Sequence, residues 1–427
     1  MTAEWDAVVV GAGVVGSSCA AELAAKGLKV VVLEKGSHSG WEGSSRSMGS
    51  LRIQGRIAPE LPLAVEGIAR WKALTEVGDF EFVQGGNIYV AQTQDEVAML
   101  LILEEQAHAV GLTNVRVIDA SEACRLVPFR QNNVSAALYS PYDAQCNPQR
   151  AVELMVKLAE SRGACFKFNQ RVAEITVRSD GSVRGVRMIG NEFVDGPVVV
   201  VAAGLGTSDL VRTVGLEMPI SGVLVTQAET ERVSPLFQAT LRASNFSVRQ
   251  RPTGQLVLGG GLNIRADKIV SLRDLRQLRK WLPRYRVHHR SVRLRLGRTP
   301  KDWRHVVSGE FGRDGNLHYL EPNRRLIDES YARLRSVLAP EIDSPVRRYW
   351  TGFIDQTLDG LPVVDQPESP QGLVIAGGFS GHGLTIAPTI GLAVAEMMTT
   401  RNSQFDLRPF RLARFQEPNI KIPERFI

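Results

Sequence analysis

Apolar runs and a glycine-rich turn alternate at the start of the chain. Residues 8–10 are three consecutive valines, which predict a strand buried on both faces of a parallel sheet. Small and apolar residues up to Ala24 predict a helix that ends near Lys26 and Gly27, and residues 28–33 predict a second strand. This order predicts a βαβ unit.

The remainder of the chain predicts a mixture of helices and strands. Apolar residues at helical spacing predict helices over residues 62–76, 95–110 and 148–162, the last with Asn147 as its N-cap. Strands are predicted over 80–91 around a turn at Gly85 and Gly86, and over 165–168, 172–177, 183–188, 198–201, 223–228, 255–258 and 373–375. The pattern is that of an α/β protein.

The turn of the βαβ unit carries Gly11, Gly13 and Gly16 in G-x-G-x-x-G spacing. The first glycine permits the tight turn, the second lets a pyrophosphate approach the backbone, and the third lets the helix pack closely on the strand. Glu34 closes the second strand, where its carboxylate would accept hydrogen bonds from ribose hydroxyls and repel the 2′-phosphate of NADP. The unit predicts dinucleotide binding and leaves NAD and FAD both open.

Features typical of dinucleotide binding occur in three separated stretches of the chain: residues 8–56, residues around 170–210, and residues 373–398. A single βαβ unit explains only the first stretch. One extended ligand that contacts all three stretches would explain the set.

Composition narrows the class of protein. A chain of 427 residues with 44% hydrophobic and 22% charged residues predicts a globular protein of two lobes that share one site. The four scattered cysteines predict neither a disulfide framework nor a zinc or iron–sulfur site, and they fit a reducing compartment. No signal peptide and no membrane-spanning segment are expected, since residues 1–6 lead directly into the first strand and no run of eighteen apolar residues occurs.

Positive charge is concentrated in one segment. The formal net charge is +6, but residues 265–304 hold fourteen Lys or Arg and three Asp, a local charge of +11. Leucines at helical spacing within residues 272–282 predict an amphipathic helix that binds an anionic membrane surface or a partner subunit. The alternative is a solvated cationic face. Nucleic-acid binding is not expected, because no recognition motif accompanies the charge.

Taken together, the three stretches resemble the D-amino acid oxidase-like family of FAD-dependent oxidoreductases. That family includes glycine oxidase, sarcosine and opine oxidase subunits, D-amino acid dehydrogenases and bacterial L-amino acid deaminases. The motifs that carry the resemblance are GAGVVG with VVLEKG, SSRSMGSLRIQGR (44–56), VVVAAGLGTSDL (199–210), WTGFIDQTLDGLPVV (350–364) and IAGGFSGHGLTIAPTIG (375–391).

The resemblance implies a fold and a domain organisation. The expected fold is α/β, with a Rossmann-like FAD-binding domain of the glutathione-reductase type interleaved with an α+β substrate domain on an antiparallel sheet. Residues 1–80, 145–220 and 345–427 would form a discontinuous FAD-binding domain. Residues 81–144 and 221–344 would form the substrate domain, with a basic insertion at about 265–305.

The resemblance also implies which residues hold FAD, bound non-covalently. The adenosine and pyrophosphate half would contact the glycine loop, Glu34 and Lys35, while Ser45 and Arg46 would lie near the pyrophosphate and ribityl chain. Gly49 and Ser50 would lie near the isoalloxazine ring. The remaining expected contacts are Val172, Ala203 and Gly204 on the adenosine half, and His382, Gly383, Leu384 and Thr385 at the helix N-terminus facing the ring, where His382 would act through its backbone.

On the substrate side an arginine is expected to hold a carboxylate, because guanidinium binds carboxylate in a bidentate manner. The sequence departs here from glycine oxidase and D-amino acid oxidase, which carry an arginine just after W-x-G, where this chain has Ile354. The deaminases place an arginine on another strand, and that position corresponds to Arg249. The candidates for substrate contact are therefore Arg249 first, then Arg52, Arg251 and Gln54.

The implied reaction is FAD-dependent oxidation of the C–N bond of an amino acid or N-substituted amino acid, by hydride transfer to flavin N5. The product imine would hydrolyse to an oxo acid. Alternatives are an FAD-dependent 2-hydroxy-acid dehydrogenase and the catalytic subunit of a heteromeric opine, proline or sarcosine-type dehydrogenase with a [2Fe–2S]-carrying partner. An NAD dehydrogenase is a further alternative. A cytoplasmic location is expected, with peripheral attachment to the inner face of the membrane as an option through the basic segment.

Overall fold

The computed structural model of the chain describes residues 4–261, 266–269, 272–289, 291–295, 321–339, 341–400, 402–418 and 420–423. Helices in this part are α1 (Val14–Ala25), α2 (Leu61–Ala73), α3 (Gln94–His108), α4 (Ala120–Leu126), α5 (Pro148–Ser161), α6 (Thr207–Arg212), α7 (Leu272–Val287), α8 (Arg324–Val337) and α9 (Gly383–Thr400).

The described strands run from the N-terminus to the last quarter of the chain. The first ten are β1 (Ala7–Val10), β2 (Val30–Leu33), β3 (Ser50–Leu51), β4 (Asn87–Ala91), β5 (Arg116–Asp119), β6 (Ala136–Ser140), β7 (Ala144–Gln145), β8 (Cys165–Lys167), β9 (Val172–Val177) and β10 (Val183–Met188). The others are β11 (Phe193–Asp195), β12 (Val198–Val201), β13 (Ser221–Arg232), β14 (Thr240–Arg242), β15 (Ser247–Gln250), β16 (Gln255–Gly259), β17 (Ala266–Ile269), β18 (Val292–Arg295), β19 (Val346–Gln356), β20 (Val363–Asp365) and β21 (Leu373–Gly377).

A six-stranded sheet carries the glycine-rich turn. Its order is β20-β21-β12-β1-β2-β8, and all neighbours are parallel except the edge strand β20. Strands β1 and β2 are buried along their whole length because α1 and α5 cover one face and the β9–β11 sheet lies on the other. The carboxyl ends of β1, β12 and β21 therefore lie side by side, although they are far apart in the sequence.

A larger, mostly antiparallel sheet forms the second layer. Its strands follow the order β18-β17-β13-β16-β15-β14-β4-β6-β5, and β19 pairs with the other edge of β13 from Ser221 to Thr230. Helix α8 packs on its outer face through Ile327, Tyr331 and Leu334, which are buried with apolar residues of β15 and β16. The face of the larger sheet opposite α8 lines a cavity.

Most predicted elements are confirmed, with end points that move by at most four residues. Asn147 caps α5 as predicted, since its Oδ1 accepts the N–H groups of Gln149 (3.2 Å) and Arg150 (3.3 Å). The predicted strand over residues 80–91 is wrong in its first half: only β4 is a strand, and residues 80–86 form a loop. Glu81 has a φ of 56° there, outside the strand region of the backbone map.

The predicted domain ranges match the distribution of strands over the two large sheets with one exception. Strand β19 lies within the range assigned to the FAD-binding domain, yet it pairs with β13 of the larger sheet. The domain boundaries themselves stay a prediction.

Helix α7 falls in the basic segment, and two of its described side chains are buried against the body of the protein. Trp281 and Arg284 are buried, and the Arg284 guanidinium donates to the carbonyl of Leu358 (2.8 Å). Leu282 is 39% exposed, whereas the side chains of the other predicted leucines lie outside the described residues. Within the described part of the chain, none of the helices has the length and hydropathy of a bilayer-spanning segment.

Candidate active site

One elongated cavity of about 1220 Å³ runs between the two sheets. It exceeds the roughly 300–1,000 Å³ of ordinary small-molecule sites, so there is room for an extended ligand and a second, smaller one. Its walls come from all three stretches singled out in the sequence, together with residues of the larger sheet.

The glycine-rich turn forms one end of this cavity. Gly11 has a φ of +105°, and a Cβ there would lie 2.5 Å from the carbonyl oxygen of Ala202. A Cβ on Gly16 would lie 1.9 Å from the carbonyl oxygen of Gly11, so α1 can reach β1 only with glycine. Gly13 differs from these two glycines, because its φ and ψ are open to any residue and it lines the cavity at the N-terminus of α1.

Glu34 also lines this end, at the carboxyl end of β2. Its carboxylate accepts the N–H groups of Ala12 (2.8 Å) and Gly36 (2.7 Å), which fixes the carboxylate against the glycine turn. Burial is the main cause that raises the pKa of Glu34. The neighbouring Lys35 lines the cavity as predicted and pairs with Glu42.

The loop after β2 contributes different serines from those predicted. Ser44, not Ser45, lines the cavity, and its Oγ accepts the N–H of Val14 at the first turn of α1 (3.0 Å). Ser45 turns toward Gly40, whose hypothetical Cβ would lie 2.1 Å from the Ser45 Oγ. Adjacent serines in a 3₁₀ turn face different sides, and the sequence alone does not show which of Ser44 and Ser45 faces the cavity.

The other predicted cofactor residues fall into two groups. Gly383 and Leu384 line the cavity at the first turn of α9, where backbone N–H groups and the helix dipole favour negative charge. Gly49 and Thr385 are not among the lining residues: the Gly49 carbonyl accepts the N–H of Cys146 (2.8 Å), and the Thr385 Oγ1 accepts the N–H of Arg52 (3.0 Å). The remaining predicted residues that line the cavity are Arg46, Ser50, Val172, Ala203 and Gly204.

His382 lies behind the cavity wall. Its imidazole is buried and its Nδ1 lies 2.9 Å from Oε2 of Glu60, whereas its neighbours Gly381 and Gly383 line the cavity, so the predicted backbone contact of His382 stays a prediction. Burial, followed by the charges of Arg56 and Arg52, lowers the pKa of His382 to about 4, despite the opposing effect of Glu60. The ring is therefore neutral at physiological pH.

We expect this neutral histidine to make stability fall in mild acid. Between pH 6.5 and 4 the unfolded chain takes up a proton that the native ring refuses, so the free energy of unfolding falls as pH drops through this window. The loss is up to about 1.4 kcal/mol for each pH unit. Urea unfolding from pH 7 to 5 should show a steeper loss for the native protein than for His382→Gln, whereas His38→Gln, at an exposed position, should follow the native protein. Equal slopes for all three would refute a neutral native ring.

The cationic residues of the cavity wall include Arg52, Arg242 and Lys268, of which the last two lie on strands β14 and β17 of the larger sheet. Arg242 belongs to a row of cavity-lining residues that crosses four adjacent strands, Arg242, Ser247, Gly259 and Gln227. The Lys268 ammonium donates to the carbonyl of Gly222 (3.1 Å). Arg242 and Lys268 were not predicted, because strand arginines and lysines carry no motif and only sheet register brings them together.

Arg249 and Gln54, two other predicted substrate residues, do not line this cavity. Arg249 is buried, its Nε donates to the carbonyl of Met48, and an Nη donates to Oε1 of Gln145 (3.2 Å). The amide of Gln54 donates to the carbonyl of Leu138 (3.0 Å). Substrate contact by either side chain stays a prediction, and each side chain would first have to break these hydrogen bonds.

Arg251 lies in a cluster of ion pairs behind the sheet. It contacts both carboxylate oxygens of Glu81 (2.7 and 3.0 Å) and one of Glu229 (3.1 Å), and both glutamates are buried. The side-chain hydrogen bond to Glu81 is the main cause that raises the pKa of Arg251. This arrangement connects the loop before β4 with β13 and β15.

Replacing Arg251 with methionine is expected to lower stability by about 3 kcal/mol, because two buried carboxylates lose their shared cation. Chemical denaturation measures this loss, and the affinity for cofactor and substrate should change less than threefold. Arg325→Met is the matched control, since Arg325 forms an exposed pair with Glu329 (2.8 Å) and should cost below about 0.5 kcal/mol. A large rise in substrate KM at unchanged stability would instead support the substrate role predicted for Arg251.

Comparison with known proteins agrees with this geometry. The sequence model of the DAO family, described as FAD-dependent oxidoreductase, matches residues 6–397. The chain belongs to this family. Glycine oxidase of Geobacillus kaustophilus is 27% identical over 425 residues, which cover 97% of this chain and 98% of the relative. An opine oxidase subunit of Rhizobium meliloti is 24% identical, and the match covers 96% of this chain and 98% of the relative.

Solved structures share the fold of this DAO-family chain. L-amino acid deaminase from Proteus vulgaris has a TM-score of 0.84 at 20% identity, and the match covers 97% of this chain and 98% of the other. The predicted α/β fold, the FAD cofactor and the oxidoreductase class are therefore confirmed. The NAD alternative is not supported.

The cavity of this FAD-dependent oxidoreductase fits FAD on three observations. Gly11 and Gly16 lie where a Cβ would collide with backbone, which keeps the turn tight, and Gly13 between them lines the cavity with bare backbone that a pyrophosphate can approach. Glu34 lines the same end of the cavity and is held against the glycine turn by the N–H of Ala12, where its carboxylate can accept a ribose hydroxyl. Ser50 lines the cavity with an Oγ that has no hydrogen-bond partner among the described residues, so a polar ligand atom is expected beside it.

Proposed function

We propose that the protein oxidises the C–N bond of an amino acid or an N-substituted amino acid. The observation that carries the proposal is a set of cationic residues in the cavity wall: Arg52, whose backbone N–H donates to Thr385 in the first turn of α9, and Arg242 of the larger sheet. A substrate carboxylate held there would present its α-carbon to the cofactor ring. The amine-oxidising activities named for the relatives, glycine oxidase and opine oxidase, support the same substrate class.

The chemistry divides between cofactor and protein. FAD, when bound, supplies the two-electron acceptor. The α-carbon loses a hydride and the nitrogen a proton, which leaves an imine that water converts into an oxo acid and an amine or ammonia. The protein's own task is to bind the carboxylate through guanidinium groups and to exclude water between the two sheets.

The first turn of α9 has a further role in this proposal. Its N–H groups and dipole favour the negative charge that accumulates on the cofactor side during oxidation. Its position is fixed from behind, because the Trp71 indole donates to the carbonyl of Leu384 (2.8 Å) and the Arg56 guanidinium donates to Thr385 Oγ1 (3.2 Å).

An anaerobic substrate panel tests the proposal. The holoprotein is mixed with D-, L- and N-alkyl amino acids, each beside the 2-hydroxy acid with the same side chain, and the visible flavin absorbance is followed. We expect bleaching by members of the amino acid set and release of the matching oxo acid. Bleaching by hydroxy acids alone would replace the proposal with a 2-hydroxy-acid dehydrogenase.

A second arrangement concerns partners rather than chemistry. One relative is named as a subunit of an opine oxidase, which supports a heteromeric dehydrogenase in which this chain is the catalytic subunit. Purification from its native source tests this. A stoichiometric small partner with cysteine ligands would support the heteromer, and a lone active chain would refute it. Peripheral attachment to a membrane through the basic segment is tested by vesicle sedimentation of the same sample.

A further inference from the structure

Asp355 is a cavity-lining carboxylate that has no part in the proposed reaction. It lies near the end of β19, immediately after Ile354. Its Oδ2 accepts the N–H groups of Gly378 (2.9 Å) and Phe379 (3.3 Å), and its carbonyl accepts the N–H of Ser380 (3.0 Å). The carboxylate thus fixes the loop that leads into α9. Its other oxygen, Oδ1, accepts no hydrogen bond from any other described residue, and Asp355 is part of the cavity wall.

The surroundings of Asp355 place it at the middle of the cavity. Its partner across the sheet is Gly222, and a Cβ on Gly222 would touch Leu205, which follows Gly204 at the adenosine end. A Cβ on Gly43 would lie 3.3 Å from the carbonyl oxygen of Phe353, two residues before Asp355. On the other side lies the loop that opens α9. Asp355 therefore stands between the pyrophosphate end and the ring end.

The chemistry of the site selects what binds there. Burial and the nearby Glu42 carboxylate raise the pKa of Asp355 to about 6, so Asp355 is mostly ionised at neutral pH. An ionised carboxylate accepts hydrogen bonds and donates none. With a second carboxylate close by, a phosphate or a substrate carboxylate is repelled from this position. The occupant must be an uncharged donor or a cation.

We propose that Asp355 binds a hydroxyl of the ribityl chain of FAD through Oδ1, while Oδ2 holds the loop before α9. The ribityl chain is the polyol that joins pyrophosphate to ring, and its hydroxyls are donors of the required kind. Asp355 would then couple the position of the cofactor to that of the helix N-terminus facing the ring. This inference rests on FAD binding and is independent of the substrate class.

The test is a thermodynamic cycle with cofactor analogues, using flavin fluorescence to measure dissociation constants on apoprotein. FAD and its 2′-, 3′- and 4′-deoxyribityl analogues are titrated into native protein and Asp355→Ala. A hydrogen bond to a charged acceptor predicts that one analogue binds the native protein about 10- to 100-fold more weakly than FAD. The Asp355→Ala variant should bind this analogue and FAD with the same dissociation constant.

Two further variants keep the test decisive. Asp355→Asn retains an oxygen for the Gly378 and Phe379 N–H groups, so it can replace the alanine variant if that variant fails to fold. In Asp355→Asn, the same analogue should lose less affinity relative to FAD than it does in the native protein. Asp365→Asn is the matched control, because Asp365 accepts the N–H of Leu412 (2.8 Å) without lining the cavity. Its FAD affinity should be unchanged.

Two results would overturn the inference. One is that every deoxy analogue loses the same affinity relative to FAD in native and variant proteins. Asp355 would then not bind a ribityl hydroxyl. The other is unchanged FAD affinity in the Asp355 variants together with a rise in substrate KM, which would assign Oδ1 to the substrate nitrogen instead.

Discussion

Replacing Gly13 with valine is expected to give a folded, colourless protein that has lost FAD affinity by more than about 100-fold. Gly13 has a φ of −70° and a ψ of 175°, which valine adopts without strain, and its Cβ would meet only the Ser44 Oγ at 3.2 Å. The valine methyl groups would instead fill the cavity in front of the N-terminus of α1, where the pyrophosphate approaches. The flavin content of purified protein and an FAD titration measure the effect.

The control for this variant is Ala25→Val. It also introduces a valine, but at an exposed position in the last turn of α1. It should remain yellow and should show the full rise in melting temperature on addition of FAD, whereas Gly13→Val should show none. A yellow Gly13→Val protein with native affinity would mean that the pyrophosphate lies elsewhere.

Removing the charge of Arg52 by substitution with methionine is expected to lower kcat/KM for amino acids by about 10²- to 10³-fold, as for a lost bidentate contact of about 3–4 kcal/mol. Arg52 lines the cavity beside Ser50, and its backbone N–H is held by Thr385 Oγ1 at the first turn of α9. The same change at Arg242 should have an effect of similar size. The measurement is steady-state kinetics on holoprotein whose flavin content is matched.

A substrate without a carboxylate separates anchoring from general damage. Native protein should prefer an amino acid strongly over the amine that lacks its carboxylate, and Arg52→Met should lose most of that preference. Arg249→Met, behind the wall, should keep it. If Arg249→Met loses the preference while Arg52→Met retains it, the anchor is Arg249, the first of the residues predicted from the sequence.

The nucleotide end of the site was predictable because local chain chemistry specifies it. Gly11 and Gly16 are required by close approaches of backbone at the turn, and Glu34 follows a strand whose apolar run is unmistakable. Such features are properties of one short stretch. Their mutual position follows from the βαβ geometry alone.

The substrate end was less predictable because it depends on pairing between distant strands. Arg242 reaches the cavity only through the register of β14, β15 and β16, and Arg249 turns away because its guanidinium is taken by Met48 and Gln145. Asp355 was not predicted, because the expectation for this strand concerned an arginine at the position of Ile354. An acidic residue directly after that position was the available signal.

Hydrogen exchange of the apoprotein with and without FAD tests the central claim, that three distant stretches grip one cofactor. We expect FAD to slow exchange together in residues 13–17, 203–207 and 383–386, to a similar extent and with one dissociation constant. Protection confined to residues 13–17, with no change at 383–386, would contradict the account, because a ligand held by the βαβ unit alone would then suffice.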